Sequence, residues 1–195
     1  MTHTRKIHIA IFASGSGTNA ENFIRFFQNH PGIEVSLIVS NKADAFVLNR
    51  ARQHNVPAEV IPADQWKDAS RTAKIFEKYG IDFIVLAGYL LLIPQWLIDK
   101  YPDKIINIHP ALLPSYGGKG MYGDYVHRAV LEARDRKSGI TIHYVNGRYD
   151  EGDIIFQTQC AVTPDDTPKS LAEKVHALEY EHYPKVAEEV ILSKF

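Results

Sequence analysis

The stretch "KIINIHPALLPSYGGKG", residues 104–120, decides the fold, because it joins a buried strand to a loop that cannot be helical. The branched apolar run is typical of a strand covered on both faces of a sheet. The prolines and glycines that follow it favour an extended loop. Asn107 and His109 lie two positions apart at the end of the strand, so their side chains are expected on the same face.

Strands and helices alternate on both sides of this stretch, which is typical of a doubly wound sheet. The predicted strands cover 6–14, 34–40, 58–62, 82–88, 104–109, 139–145 and 153–162. The predicted helices cover 18–30, 44–55 with Asp44 as its N-cap, 70–80, 94–101, 126–134 and 168–194. The connection between the last two strands is too short for a parallel crossover, so these strands are expected to pair antiparallel. The predicted fold class is α/β, with a doubly wound, mostly parallel but mixed sheet of about seven strands in one domain, residues 1–195.

The composition is that of an ordinary globular protein without a nucleic-acid or membrane partner. Of 195 residues, 45% are hydrophobic and 23% are charged, the net charge is −1, and Lys and Arg are scattered. The chain contains neither a basic patch nor an apolar run near the roughly 18 residues of a membrane span. The single cysteine, Cys160, fits the reducing cytoplasm, and the lack of a C-x-x-C motif argues against a metal site.

A second stretch, "SGSGTNA" at residues 14–20, joins the first strand to the first helix. Its glycines would let a phosphate approach the backbone N–H groups of the helix N-terminus, and Asn19 could add a side-chain contact. The same pattern is typical of a tight strand-to-helix turn, and the residues leave the two interpretations equally open. A dinucleotide is disfavoured, because Ser40-Asn41-Lys42 stands where an NAD enzyme places an acidic residue.

Asn107 and His109 together have the chemistry of a catalytic pair. An amide donor beside an imidazole can hold a developing oxyanion, and the imidazole can transfer a proton. Asp150, in the loop between the last two strands, could orient the imidazole and raise its pKa. Each residue also has an ordinary role, such as a strand-end turn for Asn107 or loop chemistry for Asp150. The residue types alone do not decide between the catalytic and the ordinary roles.

The motifs together resemble the formyltransferases that use 10-formyltetrahydrofolate. The resemblance covers nearly the whole chain, in "SGSGTN", "SNKADAFVLNRA", "VLAGYLLLIP", "NIHPALLPSY", "HYVNGRYDEGDIIFQ" and "ALEYEHYP". The pairing of "NIHPALLP" with the later "DEGDII" is its most specific part, and "SNKADAF" favours the branch of purine synthesis. The resemblance implies a Rossmann-like formyltransferase fold and transfer of a formyl group from 10-formyltetrahydrofolate to the amine of glycinamide ribonucleotide.

The resemblance also implies a role for individual residues. The residues that would hold the ribonucleotide, the first three at its phosphate and the last at its ribose, are Gly17, Thr18, Asn19 and Glu179. The residues that would contact the folate are Arg71, Leu90, Leu91, Leu92, Ile93 and Asn107. Asn107, His109 and Asp150 would form the catalytic trio, with His109 protonated and supported by Asp150. The N-terminal half, about 1–100, would bind phosphate, and the half from about 101 to 195 would bind folate and carry out catalysis.

Three other functions remain open. A formyltetrahydrofolate hydrolase would use the same trio with water in place of the amine, but is expected to carry an extra N-terminal domain. Methionyl-tRNA formyltransferase is expected to need a further basic C-terminal domain. A non-catalytic phosphate-binding module would need neither the Asn-x-His pair nor Asp150. The partners expected from the sequence are small molecules, and no metal, nucleic acid or membrane is expected to bind. The protein is expected to be cytoplasmic and to be a monomer or a homodimer.

Overall fold

The computed structural model describes residues 5–195, in which the chain forms seven strands and six helices. The strands are β1 (Ile7–Phe12), β2 (Ile33–Ser40), β3 (Ala58–Val60), β4 (Phe83–Leu86), β5 (Ile105–His109), β6 (Lys137–Tyr144) and β7 (Ile154–Ala161). The helices are α1 (Thr18–Phe27), α2 (Val47–Gln53), α3 (Ala69–Lys78), α4 (Gln95–Lys100), α5 (Asp124–Glu132) and α6 (Pro168–Leu192). Every predicted strand and helix is present, and most of their ends differ by a few residues.

The strands form one mixed sheet in the order β3-β2-β1-β4-β5-β6-β7. Strand β1 pairs in parallel with β2 and β4, and β2 pairs in parallel with β3. Strand β6 pairs antiparallel with both β5 and β7. The predicted mixed α/β sheet and the antiparallel pairing of the last two strands are therefore confirmed.

The chain divides into two compact units, of which the first ends at Ile105. Strands β1, β2 and β4 form the middle of its core, and the residues of β1 from Ile9 to Phe12 are fully buried. The ring of Phe12 contacts the rings of Trp66, Phe76 and Tyr89, with centroids 5.2–6.0 Å apart. This aromatic packing fixes the carboxyl end of β1, where the loop of residues 13–17 begins.

The second unit, Ile106–Phe195, contains the antiparallel strands β6 and β7 and the helices α5 and α6. Helix α6 begins with a capping box, in which Thr167 and Ser170 each accept a hydrogen bond from the other's backbone N–H. Pro184 lies inside α6, and the neighbouring Tyr183 is fully buried and donates to the carbonyl oxygen of Ile106. The long helix is thereby attached to β5, directly beside Asn107.

One predicted helix start is wrong. Helix α2 begins at Val47 rather than near Asp44, its N-cap is Phe46, and no side chain caps it. The reason is a turn before the helix, in which the N–H of Ala45 donates to the carbonyl oxygen of Lys42. A search of residues 5–195 finds no helix that is long and apolar enough to cross a membrane.

Candidate active site

The candidate active site is built on the pairing of β5 with β6 in the second unit. In this antiparallel pair Asn107 lies opposite His143, and His109 lies opposite Thr141. Side chains at opposite positions project from the same face. As a result Asn107 Nδ2 is 3.1 Å from His143 Nε2, which makes a hydrogen bond between the amide and the ring.

Asp150 joins this pair from the turn after β6. Its Oδ2 accepts the backbone N–H of Gly118 at 2.9 Å and lies 3.5 Å from His109 Nδ1. Its Oδ1 lies 3.4 Å from Asn107 Nδ2 and 3.6 Å from His143 Nε2. The structure thus brings together the three residues predicted for catalysis, in a cluster where a single carboxylate faces two imidazoles.

The loop of residues 110–120 holds the other side of His109. The carbonyl oxygen of Tyr116 is 2.7 Å from His109 Nε2. Tyr116 adopts a left-handed φ of 58°, and Asp150 one of 57°, a conformation that costs a residue with a side chain about 1–2 kcal/mol. A Cβ on Gly117 would come within 2.6 Å of Leu113 Cδ2 and 3.3 Å of Asp150 Cβ, so only glycine lets the loop pass this closely. Strained backbone of this kind is common at functional sites.

The protonation of His109 is set by two opposing effects. Burial lowers its pKa below the usual 6.5, because only 3% of the residue is exposed, and the negative charge of Asp150 and the Tyr116 carbonyl only partly offset this. Asp150 thus acts on the pKa of His109 in the expected direction, but burial outweighs its effect, so the net pKa is lowered in the protein without substrate. Both ring nitrogens nevertheless face oxygen acceptors, an arrangement that only the doubly protonated ring satisfies on both sides.

The carboxylate of Asp150 is stabilised in its charged form. Burial raises its pKa, but a hydrogen bond from His143, the charge of His109 and the N–H of Gly118 outweigh burial, so the pKa is lowered below 3.8. Asp150 is consequently ionised at neutral pH. It supplies the negative charge that a protonated His109 requires.

Glu179 and His127 lie near the trio in the same unit. Glu179, on α6, is 6% exposed, and its Oε2 is 3.4 Å from His176 Nδ1, which raises the pKa of His176 through a hydrogen bond. His127, on α5, is 2% exposed, and burial lowers its pKa, with the charge of His176 adding to the effect. The carboxylate of Glu179 also acts to raise the pKa of His109.

Stability is expected to fall as the pH drops below 6.5, because the unfolded chain takes up protons that the buried His109 and His127 resist. A lowered histidine pKa costs folded-state stability below the unfolded value of 6.5, by up to about 1.4 kcal/mol per pH unit for each group. Replacing His127 with leucine should therefore make the unfolding free energy less dependent on pH between 6.5 and 5. Urea unfolding of both proteins at several pH values measures this, and parallel curves would contradict it.

His143 is a site residue that the sequence analysis did not identify. Its Nδ1 is 2.8 Å from the carbonyl oxygen of Tyr144 and donates to it, while its Nε2 lies between the amide of Asn107 and the carboxylate of Asp150, where it can accept from the one or donate to the other. Because the Asp150 carboxylate repels an amide oxygen, the Nδ2 side of Asn107 is held toward His143 and Asp150. His143 could have been identified only by its position opposite Asn107, which becomes apparent when β6 is paired antiparallel with β5.

The residues predicted to bind phosphate lie in the first unit, at the start of α1. Gly17 has a φ of 72° and is the N-cap of this helix, and no side chain forms a capping hydrogen bond with the first turn. Ser14 fixes this loop: its Oγ donates to Asn41 Oδ1 at 2.6 Å and accepts the N–H of Leu90 at 2.9 Å. Arg50 also contacts this loop: its Nε donates to the carbonyl oxygen of Ser16 at 2.8 Å, while its Nη1 forms an ion pair with Glu21.

The residues predicted to contact folate differ in how far they are exposed to solvent. Leu90 and Leu92 are 37% and 43% exposed, whereas Ile93 is only 2% exposed and belongs to the core of the first unit. Arg71 is an exposed residue in the first turn of α3, where its N–H donates to Asp68 Oδ1. Among residues 5–195 no group of three or more His, Cys, Asp or Glu side chains is arranged to hold a metal ion.

Comparisons with known proteins agree with this architecture. Residues 7–187 match the family model described as formyl transferase. The chain is 42% identical over 194 residues to a chloroplastic phosphoribosylglycinamide formyltransferase of Arabidopsis thaliana, covering 93% of this chain and 64% of that protein. It is 33% identical to the phosphoribosylglycinamide formyltransferase of Haemophilus influenzae, covering 91% of this chain and 84% of that protein.

A solved structure shows the same fold. The phosphoribosylglycinamide formyltransferase of Bacillus halodurans superposes with a TM-score of 0.85 at 33% identity, covering 94% of this chain and 95% of that chain. The chain spans less than two thirds of the two plant relatives it matches, 64% of the Arabidopsis thaliana protein and 61% of the Vigna unguiculata protein. From the match over residues 7–187 and these relatives, the chain belongs to the formyl transferase family.

Proposed function

We propose that the protein transfers the formyl group of 10-formyltetrahydrofolate to the amine of glycinamide ribonucleotide, a step of purine synthesis. The observation that carries this proposal is the cluster of Asn107, His109 and Asp150 within hydrogen-bonding or ion-pairing distance, in a chain of the formyl transferase family. The named relatives support the choice of ribonucleotide, since the matched proteins of Arabidopsis thaliana and Haemophilus influenzae are phosphoribosylglycinamide formyltransferases.

In the proposed reaction, the substrate amine attacks the formyl carbon, and negative charge gathers on the formyl oxygen. Asn107 keeps one N–H at His143 and donates the other to this oxygen, in exchange for its long 3.4 Å contact with Asp150 Oδ1. The new negative charge also favours protonated His109, whose pKa burial lowers in the free protein. The carbon–nitrogen bond to the folate then breaks, and the proton lost by the amine passes to the departing folate nitrogen through His109 or a water held by Asp150.

The two substrates are assigned to different groups of residues. We infer that the ribonucleotide phosphate binds the N–H groups at Gly17, Thr18 and Asn19, near the cation of Arg50. Glu179 would accept hydrogen bonds from the ribose hydroxyls. The folate would contact the apolar segment of Leu90, Leu91, Leu92 and Ile93, with Arg71 and Asn107, and Ile93 would act from the core behind that segment.

Gly17 offers a test of the phosphate assignment. A Cβ at this position would overlap the side chain of Val47 and come within 2.8 Å of Val47 Cα, and the φ of 72° disfavours any side chain. Gly17→Ala is expected to weaken ribonucleotide binding by at least about tenfold and to spare folate binding, because the loop must shift away from the phosphate. Isothermal titration with each ligand separately measures the two affinities.

Gly32→Ala, outside the loop of residues 13–17, is the control for this experiment. Its Cβ would meet only His30 Cε1, at an ordinary contact distance of 3.8 Å, so the variant should bind the ribonucleotide almost as well as the wild type. Melting temperatures of both variants show how far Gly17→Ala loosens the fold. A selective loss of folate affinity in Gly17→Ala would mean that the two substrates are assigned to the wrong groups.

The proposed function itself is tested by mixing the protein with 10-formyltetrahydrofolate, with and without glycinamide ribonucleotide, and following folate release. Release that requires the ribonucleotide and yields its formylated product is the expected result. Release without the ribonucleotide would indicate a hydrolase, and no release would indicate a module that only binds phosphate. Cytoplasmic location and a monomeric or dimeric state stay predictions, which fractionation and sedimentation would check.

A further inference from the structure

A pocket of about 330 Å³ lies in the second unit, on the far side of the loop that holds His109. It is enclosed by the loop after β5, the end of α5 and the start of β6. The residues that line it with polar or charged groups are Ser115, Tyr116, Asp135, Arg136, Lys137 and Ser138. Its volume is at the lower end of the range of about 300–1,000 Å³ for small-molecule sites.

Ser138 is the least satisfied group of this pocket. Only 2% of the residue is exposed, and its Oγ has no hydrogen-bond partner in the part of the chain that the structure describes. A buried hydroxyl normally has a partner, because leaving it unpaired costs free energy. A ligand that enters the pocket can supply this partner.

The charges around the pocket favour an anion. The carboxylate of Asp135 is already engaged, since the hydroxyl of Tyr116 donates to its Oδ2 at 2.6 Å and that bond raises the pKa of Tyr116 to about 12. Arg136 and Lys137, in contrast, form no ion pair with any residue between 5 and 195. Two cations against one carboxylate, together with two serine hydroxyls, therefore surround the same space, and this excess of positive charge suits the oxygens of a carboxylate or phosphate.

We propose that this pocket is a second binding site, specific for a small organic anion that bears a carboxylate or phosphate group. Arg136 and Lys137 attract the anion, and Ser138 donates its buried hydroxyl to one of the anion's oxygens. The site is separate from the residues assigned to formyl transfer and does not rest on that assignment.

Tyr116 links this site to His109. The residue contributes to the wall of the pocket, and its carbonyl oxygen is 2.7 Å from His109 Nε2. An anion that contacts Tyr116 therefore changes the surroundings of the imidazole. The ring signals of His109 should shift when the pocket fills.

The test is an NMR titration of isotope-labelled protein with citrate and, separately, with inorganic phosphate. The expected result is a saturable shift of the amide signals of 136–139 and of the His109 ring with at least one probe. If only citrate causes the shift, the ligand carries a carboxylate group; if only phosphate causes it, the ligand carries a phosphate group. Shifts confined to the amides of 17–19, or no saturable shift at residues 136–139, would overturn the proposal.

Two variants and one control test whether the predicted residues bind the anion. Ser138→Ala should weaken the effective probe about tenfold while leaving the melting temperature of the ligand-free protein unchanged or higher, because it removes an unpaired hydroxyl. Arg136→Gln should weaken the probe several-fold, and more so at low ionic strength. Arg128→Gln, which removes an exposed cation of α5 outside the pocket, should change nothing. Equal affinity in the wild type, Ser138→Ala and Arg136→Gln would also overturn the proposal.

Discussion

Replacing His109 with alanine is expected to lower kcat for formyl transfer by about 10²–10⁴-fold, the usual contribution of a positioned acid–base group. The substitution removes a ring whose two nitrogens face Asp150 and the carbonyl oxygen of Tyr116. KM for both substrates should change much less, because the groups assigned to the ribonucleotide phosphate lie in the first unit of the chain.

Because His109 is buried, the alanine variant could lose activity by unfolding as well as by losing the acid–base group, and the two causes have to be distinguished. The melting temperature and the NMR spectrum of the alanine variant show whether the fold is retained. His182→Ala is a suitable control, since His182 lies in the same unit and is partly exposed. A folded His109→Ala variant that keeps more than about a tenth of the wild-type kcat would contradict the catalytic role.

The sequence was sufficient to predict the strands and helices, because these depend on local signals. The branched apolar run before Asn107 marks a strand, and the prolines and glycines after His109 mark a loop. Asn107, His109 and Asp150 were candidates by their places at the end of a strand and in a loop. Their assignment to one catalytic trio came from the resemblance of the combined motifs, because the residue types alone left ordinary roles open.

His143 could not be found in this way, because its role depends on a partner that is distant in sequence. It lies in the middle of an apolar strand, where a histidine is more often a packing residue. Only the register that places it opposite Asn107 shows that its ring contacts the amide. The lowered net pKa of His109 could not be predicted for a similar reason: the charge of Asp150 is visible in the sequence, but the burial that outweighs it is not.

Asp150→Asn is expected to lower kcat at neutral pH by about 10- to 1,000-fold, because it removes the charge that favours protonated His109. An opposite charge at this distance shifts a pKa by about 1–3 units, and each unit changes the protonated fraction tenfold above the pKa. Asparagine keeps the fold, since it can still accept the N–H of Gly118 and tolerates the φ of 57° better than most residues. The variant thus tests charge at nearly constant shape.

The pH dependence of the loss distinguishes an electrostatic role of Asp150 from a structural one. Burial already lowers the pKa of His109, and loss of the Asp150 charge lowers it further, so the rate of the variant relative to wild type should rise as the pH falls toward the lowered pKa of His109. Dividing the two rates at each pH cancels the ionisation of the substrate amine, which is common to both proteins. NMR titration of the His109 ring in both proteins gives the pKa directly. If Asp150 were only a turn residue, asparagine would replace it with little loss at any pH, and an unchanged His109 pKa would exclude the electrostatic role even in an inactive variant.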